Sequence, residues 1–410
     1  MNQTLLTNIH QLINVRQQPT LLRGKELSHL PILENAWLLI VNGRIADFGT
    51  MDAYPEVSNT IDLNRASVLP CWCDSHTHLV FAASREEEFV DKIKGMSYED
   101  IAAKGGGILN SARRLSLSTE EALYASAKQR LIDIIRLGTG AVEIKSGYGL
   151  SVEAEIKMLR VIKRLKETSP IPIKATFLGA HTYPLLFKED HEGYIDQIIH
   201  EMLPIIDREQ LADYIDVFCE KGFFSPEETI RICEAGKQIG LKPKIHANQL
   251  SLSGGVQAGI KTNAVSVDHL ETMDDETIQL LALSNTIGTL LPTAAYFLRM
   301  PFQPARQLID AGAAIALASD YNPGSSPSGN MNMVVSMSCI QMKMLPEESI
   351  NAATINGAYA MELEKEVGSI TIGKRANLII TQPIPSIAYL PYAFGSNLID
   401  RVLIDGEVFE

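Results

Sequence analysis

His76 and His78 stand two residues apart in Asp74-Ser75-His76-Thr77-His78, directly after the apolar run Ala66-Ser67-Val68-Leu69-Pro70. Side chains of an extended segment alternate between faces with period two, so the two imidazoles point the same way. Neutral imidazole is the commonest protein ligand for a divalent transition metal, and such a pair at the mouth of a buried strand proposes a metal site. Taken alone, the pair is equally well explained as a surface feature. The elements that would have to position it, and what stands at their ends, decide between the two.

From residue 66 onward a short apolar, β-branched run ending in polar or glycine residues recurs eight times, at 67–74, 141–146, 173–181, 215–220, 242–248, 264–271, 286–293 and 313–320. Amphipathic stretches of helical period lie between most of them, as in Glu153-Ala154-Glu155-Ile156-Lys157-Met158-Leu159. Strands alternating with helices imply parallel βα units, and eight in series imply an α/β fold of the closed (β/α)8, TIM-like barrel type. Active sites of such barrels form at the carboxyl ends of the strands. Asp74, His76 and His78 end the first run, Lys145 and Tyr148 the second and His181 the third. Glu220, His246, His269 and Asp320 end the fourth, fifth, sixth and eighth. Five of the nine histidines sit at these ends, a placement that chance does not give.

The flanks read differently. Strand-like pieces surround the turns Asn42-Gly43 and Asp405-Gly406, dipeptides that favour hairpins. Residues 1–65 and 367–410 are therefore expected to combine into one small β-sandwich, with 66–366 as the barrel. The long insertion at 82–138 contains Gly105-Gly106-Gly107. No Lys-Ser/Thr opening a helix follows it, so a lid element is expected there rather than a phosphate cradle.

Composition bounds the partners. A net charge of −13 over 410 residues argues against nucleic acid or an anionic membrane surface. No stretch approaches the roughly 18 uninterrupted apolar residues of a membrane span, and no secretory signal is expected from Met1-Asn2-Gln3-Thr4-Leu5-Leu6. Five irregularly spaced cysteines make no disulfide framework and fit a reduced cytosol, so a cytoplasmic location is expected. Cys71 and Cys73 have the opposite strand parity to His76 and His78 and read as small buried hydrophobes rather than ligands.

Asp74-x-His76-x-His78, a histidine after strand five, another after strand six and an aspartate after strand eight resemble the amidohydrolase superfamily of metal-dependent hydrolases. More specific strings narrow the resemblance to its branch acting on the cyclic amide of 4-imidazolone-5-propanoate. They are His76-Thr77-His78-Leu79-Val80-Phe81, Ser84-Arg85-Glu86-Glu87-Glu88-Phe89, Glu143-Ile144-Lys145-Ser146-Gly147-Tyr148-Gly149-Leu150, Phe177-Leu178-Gly179-Ala180-His181-Thr182 and Asp320-Tyr321-Asn322-Pro323-Gly324-Ser325. The likeness runs to Pro391-Tyr392-Ala393-Phe394-Gly395. Cys71-Trp72 departs from the glycine expected after Pro70, and Gln249 occupies a position where related enzymes carry either Glu or Gln.

The resemblance implies one divalent ion, zinc or iron, held by His76, His78, His246 and Asp320. Relatives with two metals bridge them by a modified lysine, and the matching place in run three holds His181, with Lys145 on run two. The chemistry implied is hydrolysis of a ring amide by a metal-activated water. Asp320 is the candidate for passing the proton to the leaving nitrogen, and His269 and His181 for donating to the oxyanion or relaying the proton. Arg85 would pair with the substrate's propanoate. Tyr148 and Gln249 would meet the ring, and Asn322, Gly324 and Ser325 the polar end of the product. A homodimer acting on a small molecule is implied as well. Two other readings are weaker: a deaminase of the same superfamily, because Gln249 replaces the glutamate deaminases need there, and an inactive scaffold, because no ligand of the set is missing.

Overall fold

The computed structural model describes residues 3–96 and 106–410; Gly105, the first glycine of the expected lid, lies outside them. The parallel strands predicted from the recurring runs form one sheet in the order β13-β12-β11-β10-β9-β8-β7-β6. They are β6 (Trp72–Thr77), β7 (Thr139–Lys145), β8 (Ile173–Ala180), β9 (Tyr214–Cys219), β10 (Lys242–Ala247), β11 (Ser266–His269), β12 (Ile287–Leu290) and β13 (Ile315–Leu317). β6 meets the chain just past β13 across a bridge between Thr77 and Tyr321, which brings the sheet round into a barrel. Helices return the chain between strands and are capped as their sequences dictate. Ser151 accepts from the Ala154 N–H and Asp274 from the Thr277 N–H, while Ser225 and Glu228 form a reciprocal capping box. Their apolar faces join the strands in one continuous core, with Leu131, Ile162, Ile245, Val267, Leu308 and Ile350 among its fully buried members.

The terminal segments form a second sheet, in the order β16-β15-β14-β5-β1-β2-β3 with β4 also on β1. Its strands are β1 (Gln3–Ile13), β2 (Ile32–Val41), β3 (Arg44–Thr50), β4 (Thr60–Asp62), β5 (Val68–Pro70), β14 (Leu378–Thr381), β15 (Ile399–Ile404) and β16 (Glu407–Val408). Leu38 and Ile40 from one end of that order share a buried cluster with Leu378, Ile380 and Leu403 from the other. The sheet thus folds over itself into the expected sandwich.

One run divides. Val68–Pro70, predicted as the start of the first barrel strand, pairs instead with β1 and β14 in the terminal sheet. Cys71 then donates its N–H to Asn377 O, and the barrel strand begins at Trp72. Cys73 packs outward against Ala141, Ala358 and Met361, on the side its parity predicted. Gly106 and Gly107 begin the helix Gly107–Leu117, and the Gly107 N–H is bound by Glu88.

Candidate active site

The carboxyl ends of the strands gather the residues singled out above, all buried or nearly so. Ligand atoms of His76, His78 and Asp320 lie within 4.8 Å of one another, and so do those of His76, His246 and His269. His76 Nε2 and His78 Nε2 are each 3.6 Å from Asp320 Oδ1. Ligand atoms about 2.1 Å from a tetrahedral ion would be spaced by about 3.4 Å. The His246 ring is 4.5 Å from that of His76 and 5.5 Å from that of His78.

The donor set fits a cation. His76 Nε2 and both ring nitrogens of His246 are buried with no hydrogen-bond partner, a costly condition unless something binds there, and His78 turns its Nε2 toward Asp320. Burial holds all three imidazoles well below their usual pKa, in the neutral form that ligates. His76 Nδ1 lies 2.6 Å from Asp268 Oδ2, which fixes the tautomer and leaves Nε2 bare toward the cluster. Burial also raises the Asp320 carboxyl to about 6. Asp320 adopts a left-handed φ of 51°, an uncommon conformation for a residue other than glycine, as does His269 with a φ of 88°.

Around this cluster the remaining groups have defined partners. Burial lowers His269, but the Glu271 carboxylate 3.3 Å from its Nδ1, together with Asp320 and Asp268, outweighs that and leaves the imidazole raised. Gln303 in turn donates to Glu271 at 3.0 Å. His181 Nδ1 donates to Gly147 O at 3.0 Å, so the neutral ring presents a bare Nε2 that accepts and does not donate. Burial pushes His181 down to about 4. The Tyr148 ring stands 5.7 Å from His78 and 5.6 Å from His181. Its loop is held by Glu155, which accepts the N–H groups of Gly147, Gly149 and Leu150 at 3.1, 2.5 and 3.1 Å.

Arg85 follows the first strand and reaches the loop after the eighth, where a Cβ on Gly324 would meet its Nη1 at 2.2 Å. Its Nε donates to Ser111, and its Nη2 is buried without a partner. Asn322 is spent inside its own loop: Oδ1 accepts from Gly324 N and Ser325 N, and Nδ2 donates to Asp320 O and Ser325 Oγ. Ser325 Oγ also donates to Asp320 Oδ2 at 3.1 Å. Gln249 is buried two residues past the end of β10.

Sequence reasoning did not single out Asp216, Asp268, Glu271 or Glu155, the acceptors that orient histidines and loops. Asp268 and Asp216 carried one signal, as polar residues inside otherwise apolar strands. The partner each takes lies on another strand and has no local signature.

Residues 67–409 match the family model described as amidohydrolase family. An imidazolonepropionase of Flavobacterium johnsoniae is 58% identical over 408 residues, covering 99% of each chain. One of Christiangramia forsetii is 56% identical, covering 98% of this chain and 99% of its own. Among solved structures, guanine deaminase of E. coli superposes with a TM-score of 0.73 at 14% identity, covering 100% of this chain and 99% of its own. An adenosine deaminase of Xanthomonas campestris with bound zinc gives 0.70 at 16%, covering 99% and 92%. At such identities these two structures bear on the fold alone.

Proposed function

This chain belongs to the amidohydrolase family, in its imidazolonepropionase branch, and we propose from that premise that it hydrolyses 4-imidazolone-5-propanoate to N-formimino-L-glutamate in histidine degradation. Water adds across the ring amide: its oxygen goes to the carbonyl carbon, the C–N bond breaks, and the ring nitrogen takes up a proton. The observation that carries the reading is the convergence of buried imidazole nitrogens without partners, at a barrel mouth that also holds an arginine N–H without one.

A divalent ion held by His76, His78, His246 and Asp320 would supply Lewis acidity and a water acidic enough to ionise near neutral pH. Zinc and iron both suit three nitrogens and a carboxylate. Asp320, raised by burial to about 6, is placed to accept a proton and return it to the leaving nitrogen. His269, kept basic by Glu271, donates to the oxygen on which negative charge develops. His181, its Nδ1–H committed to Gly147, acts as the receiver of a substrate N–H rather than as an oxyanion donor. The free Nη2 of Arg85 takes the propanoate. Tyr148 faces the ring, and Gln249, a neutral amide, pairs with it and carries no proton. Gly324 and Ser325 border the same loop, and Asn322 shapes it from within.

The same reading places the enzyme in the cytosol, in keeping with its unpaired cysteines, as a homodimer for which exposed Tyr392 and Phe394 offer apolar surface. Among the described residues no helix is long and apolar enough to cross a membrane. Metal analysis of the purified chain coupled to an assay on the imidazolone tests the proposal. About one ion per chain and turnover of the ring are expected, and a metal-loaded protein that leaves the imidazolone intact would refute it.

A further inference from the structure

Directly beneath the candidate ligands, where barrels of this kind carry layers of apolar side chains, the interior holds Glu143, Lys145, Asp216, Lys244 and Asp268 with almost no exposure. Glu143 is paired with Lys244. Lys145 Nζ stands 2.6 Å from Glu143 Oε1, 2.9 Å from Asp216 Oδ2 and 3.5 Å from Asp268 Oδ2. Each of those two aspartates also addresses a histidine of the site. Asp268 Oδ2 is the atom bound to His76 Nδ1 at 2.6 Å. Asp216 Oδ1 accepts the His246 backbone N–H at 3.1 Å, and Asp216 Oδ2 lies 2.9 Å from His246 Nδ1, close enough for charge contact but without hydrogen-bond alignment. His76 on β6 and His246 on β10 stand four strands apart in an eight-stranded ring, on opposite walls of the barrel. Asp216 stands on β9 and Asp268 on β11, the two neighbours of β10, and the Lys145 ammonium reaches both from β7, so one cation stands behind the carboxylates that address His246 and, across the barrel, His76.

We propose that Lys145 is a positioning residue: it ties Asp216 to Asp268 and so holds His76 and His246 facing one ion from opposite sides. The opposing effect is electrostatic. A fixed positive charge this close to a cation site repels the cation, so charge alone would have Lys145 weaken metal binding. The tether acts the other way, because fixing the groups behind ligating histidines is commonly worth about 10- to 100-fold in metal affinity. The two effects differ in sign, and that makes the role measurable.

The inference rests on the proposed function only in placing an ion among these histidines. The measurement is zinc affinity of the metal-free full chain, in competition with a chelator, with circular dichroism of the metal-free protein as the control for fold. Lys145→Met is expected to raise the zinc Kd by about 10- to 100-fold with an unchanged metal-free spectrum; an unchanged or lowered Kd overturns the tether. If that variant does not accumulate folded, Lys145→Met with Glu143→Gln is read instead. It conserves the net buried charge and leaves Asp216 and Asp268 in place, so charge alone predicts no change where the tether predicts the same rise. A zinc-bound crystal structure of the unmodified protein adds a readout independent of any variant: Lys145 Nζ must contact both aspartates, and its departure from either ends the proposal. A chain that binds zinc as expected yet spares the imidazolone would leave the tether standing and remove the substrate.

Discussion

Glu155→Gln separates recognition from chemistry in this site. Glu155 sits in the first turn of the helix Val152–Thr168 with no exposed surface, and its two oxygens take three N–H groups of the loop that carries Tyr148. That loop needs holding, because Gly147 has a φ of 111° and Leu150, which is not glycine, a φ of 54°. A Cβ on Gly149 would lie 2.3 Å from Glu155 N, so loop and helix are in direct contact. Glutamine keeps the shape but has only one acceptor oxygen. With that oxygen on Gly149 and Leu150, its amide NH2 faces the Gly147 N–H, losing one charge-assisted bond and leaving a buried donor unsatisfied, at a cost of about 1–3 kcal/mol. Gly147 also presents the carbonyl that orients His181, so one change loosens both Tyr148 and His181. If that cost falls on substrate binding, KM rises by about 5- to 150-fold. The proposed metal ligands stand on other loops, so kcat should stay within about threefold. Steady-state kinetics on the imidazolone beside a thermal melt read both quantities. An unchanged KM with a lowered Tm would show that Glu155 stabilises the fold and does not order the substrate site.

Arg85→Ala removes the guanidinium with the free Nη2 and should raise KM by about 10- to 100-fold with little effect on kcat; a KM like that of the parent would take the propanoate away from Arg85. His246→Ala should lose metal and activity together in paired metal analysis and assay, and activity persisting without metal would exclude the proposed chemistry. Lys374→Met should change the sign of its effect with pH. Lys374 is buried, donates to Val367 O and Ser369 Oγ, and is held down to about 8 by burial. The unfolded chain keeps that proton up to about 10.4, so between these values it binds more protons than the fold, and stability rises with pH through that window. Below pH 8 the charged, buried ammonium disfavours the fold by up to about 3 kcal/mol. Removing it forfeits two hydrogen bonds of about 1 kcal/mol each. The variant should therefore melt higher than the parent at pH 7 and lower at pH 10.5; melts that differ by the same amount at both would refute the assignment.

Much of this is legible in the amino-acid sequence, for a physical reason. A strand buried on both faces must be apolar, so the polar residues at its carboxyl end stand out, and His76, His181, His246, His269 and Asp320 could be placed by counting runs. The division of the first run was not legible. Residues 66–73 are almost continuously apolar, and nothing in them says that Val68–Pro70 leaves to pair with Leu378–Ile380, some three hundred residues away. The ion lattice was hidden for a related cause. The parity of Asp216 and Asp268 shows that they point inward, but that both converge on Lys145 depends on the curvature of the closed sheet. Asn322 was legible as part of a functional loop and not as its internal brace, because an asparagine that binds a ligand and one that binds its own backbone have the same sequence signature.

The seam of the barrel and the candidate site are the same place. The bridge between Thr77 and Tyr321 joins β6 to the chain just past β13, where His78 N–H meets Tyr321 O at 2.9 Å and Asp320 N–H meets His76 O at 3.0 Å. Asp74 completes the stitch, taking the Ser319 N–H at 2.9 Å and its hydroxyl at 2.5 Å. This gives the Asp-x-His-x-His string a second purpose beside the proposed ligation: its backbone and its first residue close the cylinder. It also accounts for Asp320, whose left-handed backbone turns the chain out of the eighth strand with its carboxylate directed at His76 and His78. A cation held by ligands from both sides of that seam binds the closed barrel and not the open sheet. The binding energy of such a cation would therefore also be energy of closure, delivered at the strained backbone of Asp320.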